Sequence, residues 1–171
     1  CSRSFGSSIS NKEEMYEAIS TYASMAALQM RKQKHCVQVI HVFVETNFDK
    51  ETGKRHVSSC TLPLRYATDD TLKIITAAKL CMDKLYFEGV NYKKCGITML
   101  DLVSSSSIIP DLFENKQTCR KNLMSTIDAI NNRLGKDTVI VAAIGLKQKW
   151  KMRKDQCSGR YTTNWNELAI A

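Results

Sequence analysis

Apolar residues recur along the chain with two periods, and the alternation between them marks its elements. Residues 2–9 are short and Ser-rich, with Phe5 and Ile9 as apolar anchors, and predict an edge strand. Ser10-Asn11-Lys12-Glu13 fits a capping box, in which the Ser hydroxyl and the Glu carboxylate satisfy free backbone N–H groups. A helix is expected from there to about Gln33, because Met15, Ile19, Tyr22, Ala26 and Met30 form one apolar stripe. The β-branched run VQVIHVFVET over 37–46 predicts a strand, and NFDKETGK over 47–54 predicts a hairpin loop. In the return strand, 57–64, alternation sets Cys60, Leu62 and Leu64 on one face and Ser59, Thr61 and Pro63 on the other. Pro63 has no N–H to give a neighbour, so it belongs at an edge or near a strand end. Thr68, Asp69 and Asp70 offer N-caps for a second helix, whose stripe is Leu72, Ile75, Ala78, Met82 and Leu85 and whose terminator is Gly89. A last strand is expected over 97–103. The order βαββαβ implies an α+β fold: a four-stranded antiparallel sheet with two helices on one face and the other face free for a partner.

Four serines at 104–107 break this pattern and set the expected domain boundary. The organisation is then 1–103 as a first domain, 104–117 as a linker and 118–171 as a small αβ extension. The linker carries the apolar patch Ile108-Ile109-Pro110-Asp111-Leu112-Phe113. In the extension a helix is expected from about Thr118, with the stripe Leu123, Ile127, Ile130 and Leu134 and with Gly135 as its end. A strand is expected over 138–144. Beyond Gly145 the tail is strongly basic, with Lys147, Lys149, Lys151, Arg153, Lys154 and Arg160 near Trp150 and Tyr161. Trp150 is expected to pack onto the unit around 118–144, leaving the lysines on the surface.

Composition narrows the function classes. Apolar residues make up 43% of 171, enough for a packed core. No apolar run approaches the roughly 18 residues that suggest a membrane span, and no signal peptide opens the chain. The first residue is Cys1 rather than Met, which predicts a longer protein upstream. A net charge of +8 favours a polyanionic partner. The 7 cysteines form no C-x-x-C pair and no zinc spacing, so they read as reduced core thiols of a cytosolic protein. His35, His41 and His56 have no metal-ligand spacing either. The carboxylate pairs Glu13-Glu14 and Asp69-Asp70 stand at helix starts, where they offset the helix dipole. Nothing converges as two-metal phosphoryl transfer requires. The chemistry is that of a binding module.

Three segments carry a resemblance. Ser2-Arg3-Ser4-Phe5-Gly6 resembles the first strand of the little-finger domain in UmuC-type Y-family translesion polymerases. Tyr92-Lys93-Lys94-Cys95-Gly96-Ile97-Thr98-Met99-Leu100-Asp101-Leu102 resembles that domain's last strand, Tyr-x-Lys-Ala-Gly-Val-x-Leu-x-Asp-Phe/Leu. Gly145-Leu146-Lys147-Gln148-Lys149-Trp150-Lys151-Met152 and Ser158-Gly159-Arg160-Tyr161-Thr162-Thr163 resemble the C-terminal extension of the same proteins, with Gly159 in place of a Pro. The order and spacing agree over nearly the whole chain.

The resemblance implies a non-catalytic fragment that grips primer-template DNA by its backbone, with the catalytic core upstream and the polymerase's Mg2+ there. Phosphate contacts need cations, hydroxyls and backbone N–H donors rather than base readers. Ser2, Arg3, Ser4 and Gly6 offer these on the first strand, Ser59, Thr61 and Arg65 on the hairpin, and Lys93 and Lys94 at the last strand. Ile109, Pro110, Asp111, Leu112 and Phe113 stand where the family carries a sliding-clamp peptide of the form Gln-Leu-x-Leu-Phe. Leu112 and Phe113 match it; Ile109 and Pro110 depart from it. The resemblance further implies a UmuD-type accessory subunit and RecA filaments as partners, no membrane, no cofactor in this fragment, and a bacterial cytoplasmic location at the nucleoid during DNA damage. The rival readings are an RNA-binding βαββαβ module, a protein-docking module and a cysteine-dependent enzyme. The first lacks the RNA-recognition aromatic signature, since Phe43 is isolated. The last needs an activated thiol beside a base.

Overall fold

The computed structural model describes residues 1–47, 55–107, 119–152 and 159, with side chains in the last helix from 122 onward. The strands are β1 (Ser2–Ile9), β2 (His35–Thr46), β3 (Val57–Thr68) and β4 (Tyr92–Ser104). They form one sheet in the order β1-β4-β2-β3, and every neighbouring pair is antiparallel. Helices α1 (Lys12–Lys32) and α2 (Thr71–Leu85) share a core with one face of this sheet. The expected βαββαβ architecture is therefore the observed one. β1 and β3 are the edges, where Ser-rich sequence and Pro63 cost least in lost pairing.

Local chemistry fixes the helix ends. Asn11, not Ser10, caps α1: its Oδ1 accepts from the Glu13 N–H at 2.8 Å. The cap lies one residue later than the capping box places it, and Glu13 falls in the first turn beside Glu14, where both offset the dipole. Asp70 is the cap of α2, accepting from Leu72 N–H at 2.9 Å. That helix stops at Leu85, and Gly89 takes its φ of +81° in the following turn, past the helix end.

The core runs along the expected stripes and widens them. Met15, Ile19, Tyr22 and Met30 of α1 are buried, and Ala23 and Ala27 join them, while Ala26 is half-buried. On α2, Ile74 and Cys81 are buried beside Ile75, Ala78, Met82 and Leu85, and Leu72 is the half-buried member. On β4, Lys93 is an extra residue: Glu45 and Thr46 of β2 oppose Lys94 and Tyr92. This bulge turns both Cys95 and Tyr92 into the core, which strict alternation would not allow. Tyr92 then donates its hydroxyl to the Leu85 carbonyl and accepts the Phe87 N–H, anchoring the end of α2.

The C-terminal part departs from expectation. Helix α3 (Cys119–Leu134) forms, but among its described side chains the buried one is Met124; Leu123 is 46% and Leu134 68% exposed. The face turned to the fold is set by Asp128, whose carboxylate takes two hydrogen bonds from Arg31, Nε at 2.7 Å and Nη2 at 2.9 Å. Residues 138–144 are not a strand. Among the described residues they pair with no sheet edge; instead Asn131 brackets Val139, donating to its carbonyl and accepting its N–H. The segment ends in a short 3-10 turn, Ala142–Ile144, laid against α1. An apolar β-branched run needs a strand partner to become a strand, and here it finds a helix.

Trp150 also lies elsewhere than expected. It is 2% exposed and joins the core of the sheet and α1, edge-on to Phe5 at 6.1 Å and to Tyr22 at 5.8 Å. Its carbonyl accepts the Gly6 N–H at 3.1 Å, so the tail covers part of the free edge of β1.

Candidate nucleic-acid interface

The face of the sheet turned away from the helices is built in rows, because directly paired residues of antiparallel strands point the same way. One row is Ser2, Gly96, Phe43 and Ser59. The next is Ser4, Lys94, Glu45 and Val57. On the other side come Thr98, His41 and Thr61, then Leu100, Val39 and Pro63. Ser2, Ser4, Ser59, Thr61 and Thr98 are exposed hydroxyls, and Arg65 is an exposed cation further along β3. The Lys94 ammonium stands 5.6 Å from the Phe43 ring centre. Across the strands His41 Nδ1 and Thr61 Oγ1 share a hydrogen bond of 2.8 Å.

Gly96 makes the centre of this face flat. A Cβ there would stand 2.6 Å from Cε1 of Phe43, so only a residue without a side chain lets the ring lie across β4. Glu45 is the acidic group in these rows, and Arg55 neutralises it with an Nη1–Oε1 contact of 3.0 Å. The result is a shallow surface of hydroxyls and cations around one aromatic ring.

Several of the expected contact residues gather here and several do not. Ser2, Ser4, Ser59, Thr61 and Lys94 share the face, with Arg65 along the same strand as Ser59 and Thr61. Arg3 is paired with Cys95, a core residue, and so faces the helices. Gly6 cannot offer its N–H to a phosphate, because Trp150 already accepts it. Lys93 is the bulged residue, and its ammonium donates to the Phe5 carbonyl at 3.3 Å. Phe43, Gly96 and Thr98 went unassigned in the sequence; counting by two from Lys94 along β4 reaches Gly96 and Thr98, but the flat ring needs the β2–β4 register. Residues 109–113, the clamp-peptide segment, lie outside the described residues.

Among the described residues no group of three or more His, Cys, Asp or Glu side chains lies together as a metal site. Burial, and then the neighbouring Cys60 thiol, push the Cys81 thiol up to about 12, and burial also raises Cys95.

Comparison with known proteins adds the following. Residues 1–112 match the impB/mucB/samB family C-terminal domain, and residues 121–171 match a domain of unknown function, DUF4113. Protein UmuC of Salmonella typhimurium is 33% identical over 170 residues, which cover 98% of this chain and 40% of that protein. Protein ImpB of Salmonella typhimurium is 35% identical over 176 residues, 100% of this chain and 41% of that one. Protein MucB of Escherichia coli is 30% identical over 172 residues, 99% and 40%. The chain thus spans about 40% of the length of these relatives. A solved complex of the beta-clamp processivity factor and the little finger domain of PolIV aligns with 67% of this chain and 92% of that chain, at 12% identity and a TM-score of 0.40.

Proposed function

The chain belongs to the impB/mucB/samB family, its residues 1–112 being the C-terminal domain of that family, and from this premise we propose that it is the DNA-gripping part of an error-prone, UmuC-like translesion polymerase. In this reading residues 1–103 hold primer-template DNA, 104–117 tether a sliding-clamp peptide, and 118–171 are the extension that follows. Catalysis and its Mg2+ belong to the remainder of the longer protein. A UmuD-type accessory subunit and RecA filaments are the further partners, and the DNA-damage response in a bacterial cell is the setting.

The observation that carries the reading is the open sheet face. Its exposed hydroxyls, with Lys94 and Arg65, suit phosphate oxygens, which need donors and positive charge but no base-specific pattern. Phe43 lies flat over Gly96 and offers an apolar patch rather than a protruding wedge. Such a surface rides along a duplex of any sequence, as a polymerase grip must.

The test is fluorescence anisotropy of the whole chain with a labelled primer-template duplex. Affinity should be indifferent to sequence and should fall steeply between about 50 and about 200 mM salt. Lys94→Ala and Arg65→Ala should each lower the salt slope by about 1. Arg3→Ala should leave it unchanged, since Arg3 faces the helices. A flat salt dependence, or loss of binding through Arg3 alone, would sink the assignment of this face.

A further inference from the structure

On the helix side of the sheet, at its β1 edge, the tail and α1 enclose a groove of about 870 Å³. That volume is in the range of ligand and peptide-side-chain sites. Its apolar walls include Tyr22, Met25 and Trp150, and three cations line it, Arg3, Lys136 and Lys151, against Asp137. Leu146 and Met152 also line it and remain 89% and 58% exposed. Trp150 supplies an independent sign of an occupant. Its ring is buried, yet its Nε1–H has no hydrogen-bond partner among the described residues. A buried indole N–H left unpaired is costly, and an acceptor that reached it would be held.

We propose that this groove is a docking site for an acidic peptide segment of a partner protein. An apolar side chain of that segment fills the space between Tyr22, Met25 and Trp150, a peptide carbonyl or carboxylate accepts from Trp150 Nε1, and Arg3, Lys136 and Lys151 meet its acidic residues. Charge complementarity favours a peptide over nucleic acid only together with the shape. The aromatic rings are buried in the walls rather than presented for base stacking. The site stands independently of the proposed DNA grip. Apart from Ser4 at the β1 edge, its lining lies away from the open face, so a partner and a duplex can be held at once.

The experiment uses the whole chain as bait for random twelve-residue peptides displayed on phage, with selected sequences then made as synthetic peptides. Trp165→Phe leaves Trp150 as the sole tryptophan, since the chain has 2, and its emission reports on the groove. Selected peptides should pair Asp or Glu with an apolar residue and shift Trp150 emission. They should lose roughly tenfold in affinity against Arg3→Glu or Lys136→Glu. Both positions are exposed, so neither reversal threatens the fold, which circular dichroism verifies. A saturating unlabelled duplex should leave peptide binding intact. Failure to enrich acidic peptides, unchanged affinity in both reversal variants, or displacement by the duplex would each overturn the proposal; displacement would assign the groove to nucleic acid.

Discussion

At the scale of residues, two positions show how little sequence distance says about coupling. Gly96 is bound to its place by Phe43, fifty-odd positions away along the chain but directly paired with it in the sheet. Gly96→Val should force the ring off β4 and lower stability by about 1–3 kcal/mol in urea unfolding, the usual cost of overpacking. An unchanged unfolding midpoint would mean that the ring does not lie across the strand. Arg31 acts across a larger gap. Besides its fork onto Asp128, its Nη1 donates to the Asp69 carbonyl at 2.9 Å and to Thr71 Oγ1 at 2.8 Å. One side chain thereby joins the end of α1, the start of α2 and the middle of α3. Its side chain is only 12% exposed, so removing it leaves Asp128 and the Asp69 carbonyl short of partners in a place with little water. Arg31→Ala should cost about 2–4 kcal/mol, and Arg31→Met with Asp128→Leu should recover most of that. The comparison is made by thermal unfolding of both variants; equal losses in the two would show that the charge pair is not what holds α3.

At the scale of elements, the tail is as much a part of the first fold as its own helices are. Trp150 closes the core between Phe5 and Tyr22, and the backbone beside it caps the free edge of β1. Trp150→Ala should therefore cost about 3–5 kcal/mol, the price of a large core truncation. It should also expose the β1 edge, detected as faster amide exchange at Gly6. In the Trp165→Phe background, acrylamide should quench Trp150 far less than a free peptide; peptide-like quenching would contradict the packing. The same contacts run across the four serines. Composition changes there, yet packing continues through α3, the 3-10 turn and Trp150 onto α1. Gly145 illustrates the closeness: its φ is +70° and a side chain there would run into the Glu17 carboxylate. An Ala at 145 would meet both obstacles at once.

At the scale of the whole molecule, the sheet separates the two proposed surfaces, and the clamp peptide would add a third on its tether. Leu112 and Phe113 together can contribute on the order of 3–6 kcal/mol by burial in an apolar pocket. Ordering a peptide takes back several kcal/mol, so micromolar binding to the cognate sliding clamp is expected. Calorimetry of the whole chain should show binding abolished by the Leu112→Ala, Phe113→Ala double change and tightened by Ile109→Gln. Equal heats for wild type and the double variant would remove the clamp from the reading. Because duplex, clamp and peptide occupy separate surfaces in this scheme, duplex at saturation should leave the clamp affinity unaltered.

Period alone determined most of the first hundred residues. Helix stripes such as Met15–Ile19–Tyr22 and the alternation Cys60–Leu62–Leu64 are local patterns, and a chain can satisfy them only by burying those faces. Short matched segments in order then identified the family, since Tyr92 to Leu102 is legible as a string. Four things depended on the tertiary structure. The cap moved to Asn11 because competing side chains one residue apart are separated by geometry, not by type. The Lys93 bulge turned Tyr92 to the core face, which no count by two can foresee. The run over 138–144 became a turn because no strand edge was within reach. Arg3 and Gly6, alike in sequence to their neighbours Ser2 and Ser4, were lost to the open face because one points at the helices and the other gives its N–H to Trp150. Except at the Asn11 cap, the deciding partner is distant in the chain or set by register, and sequence patterns carry neither.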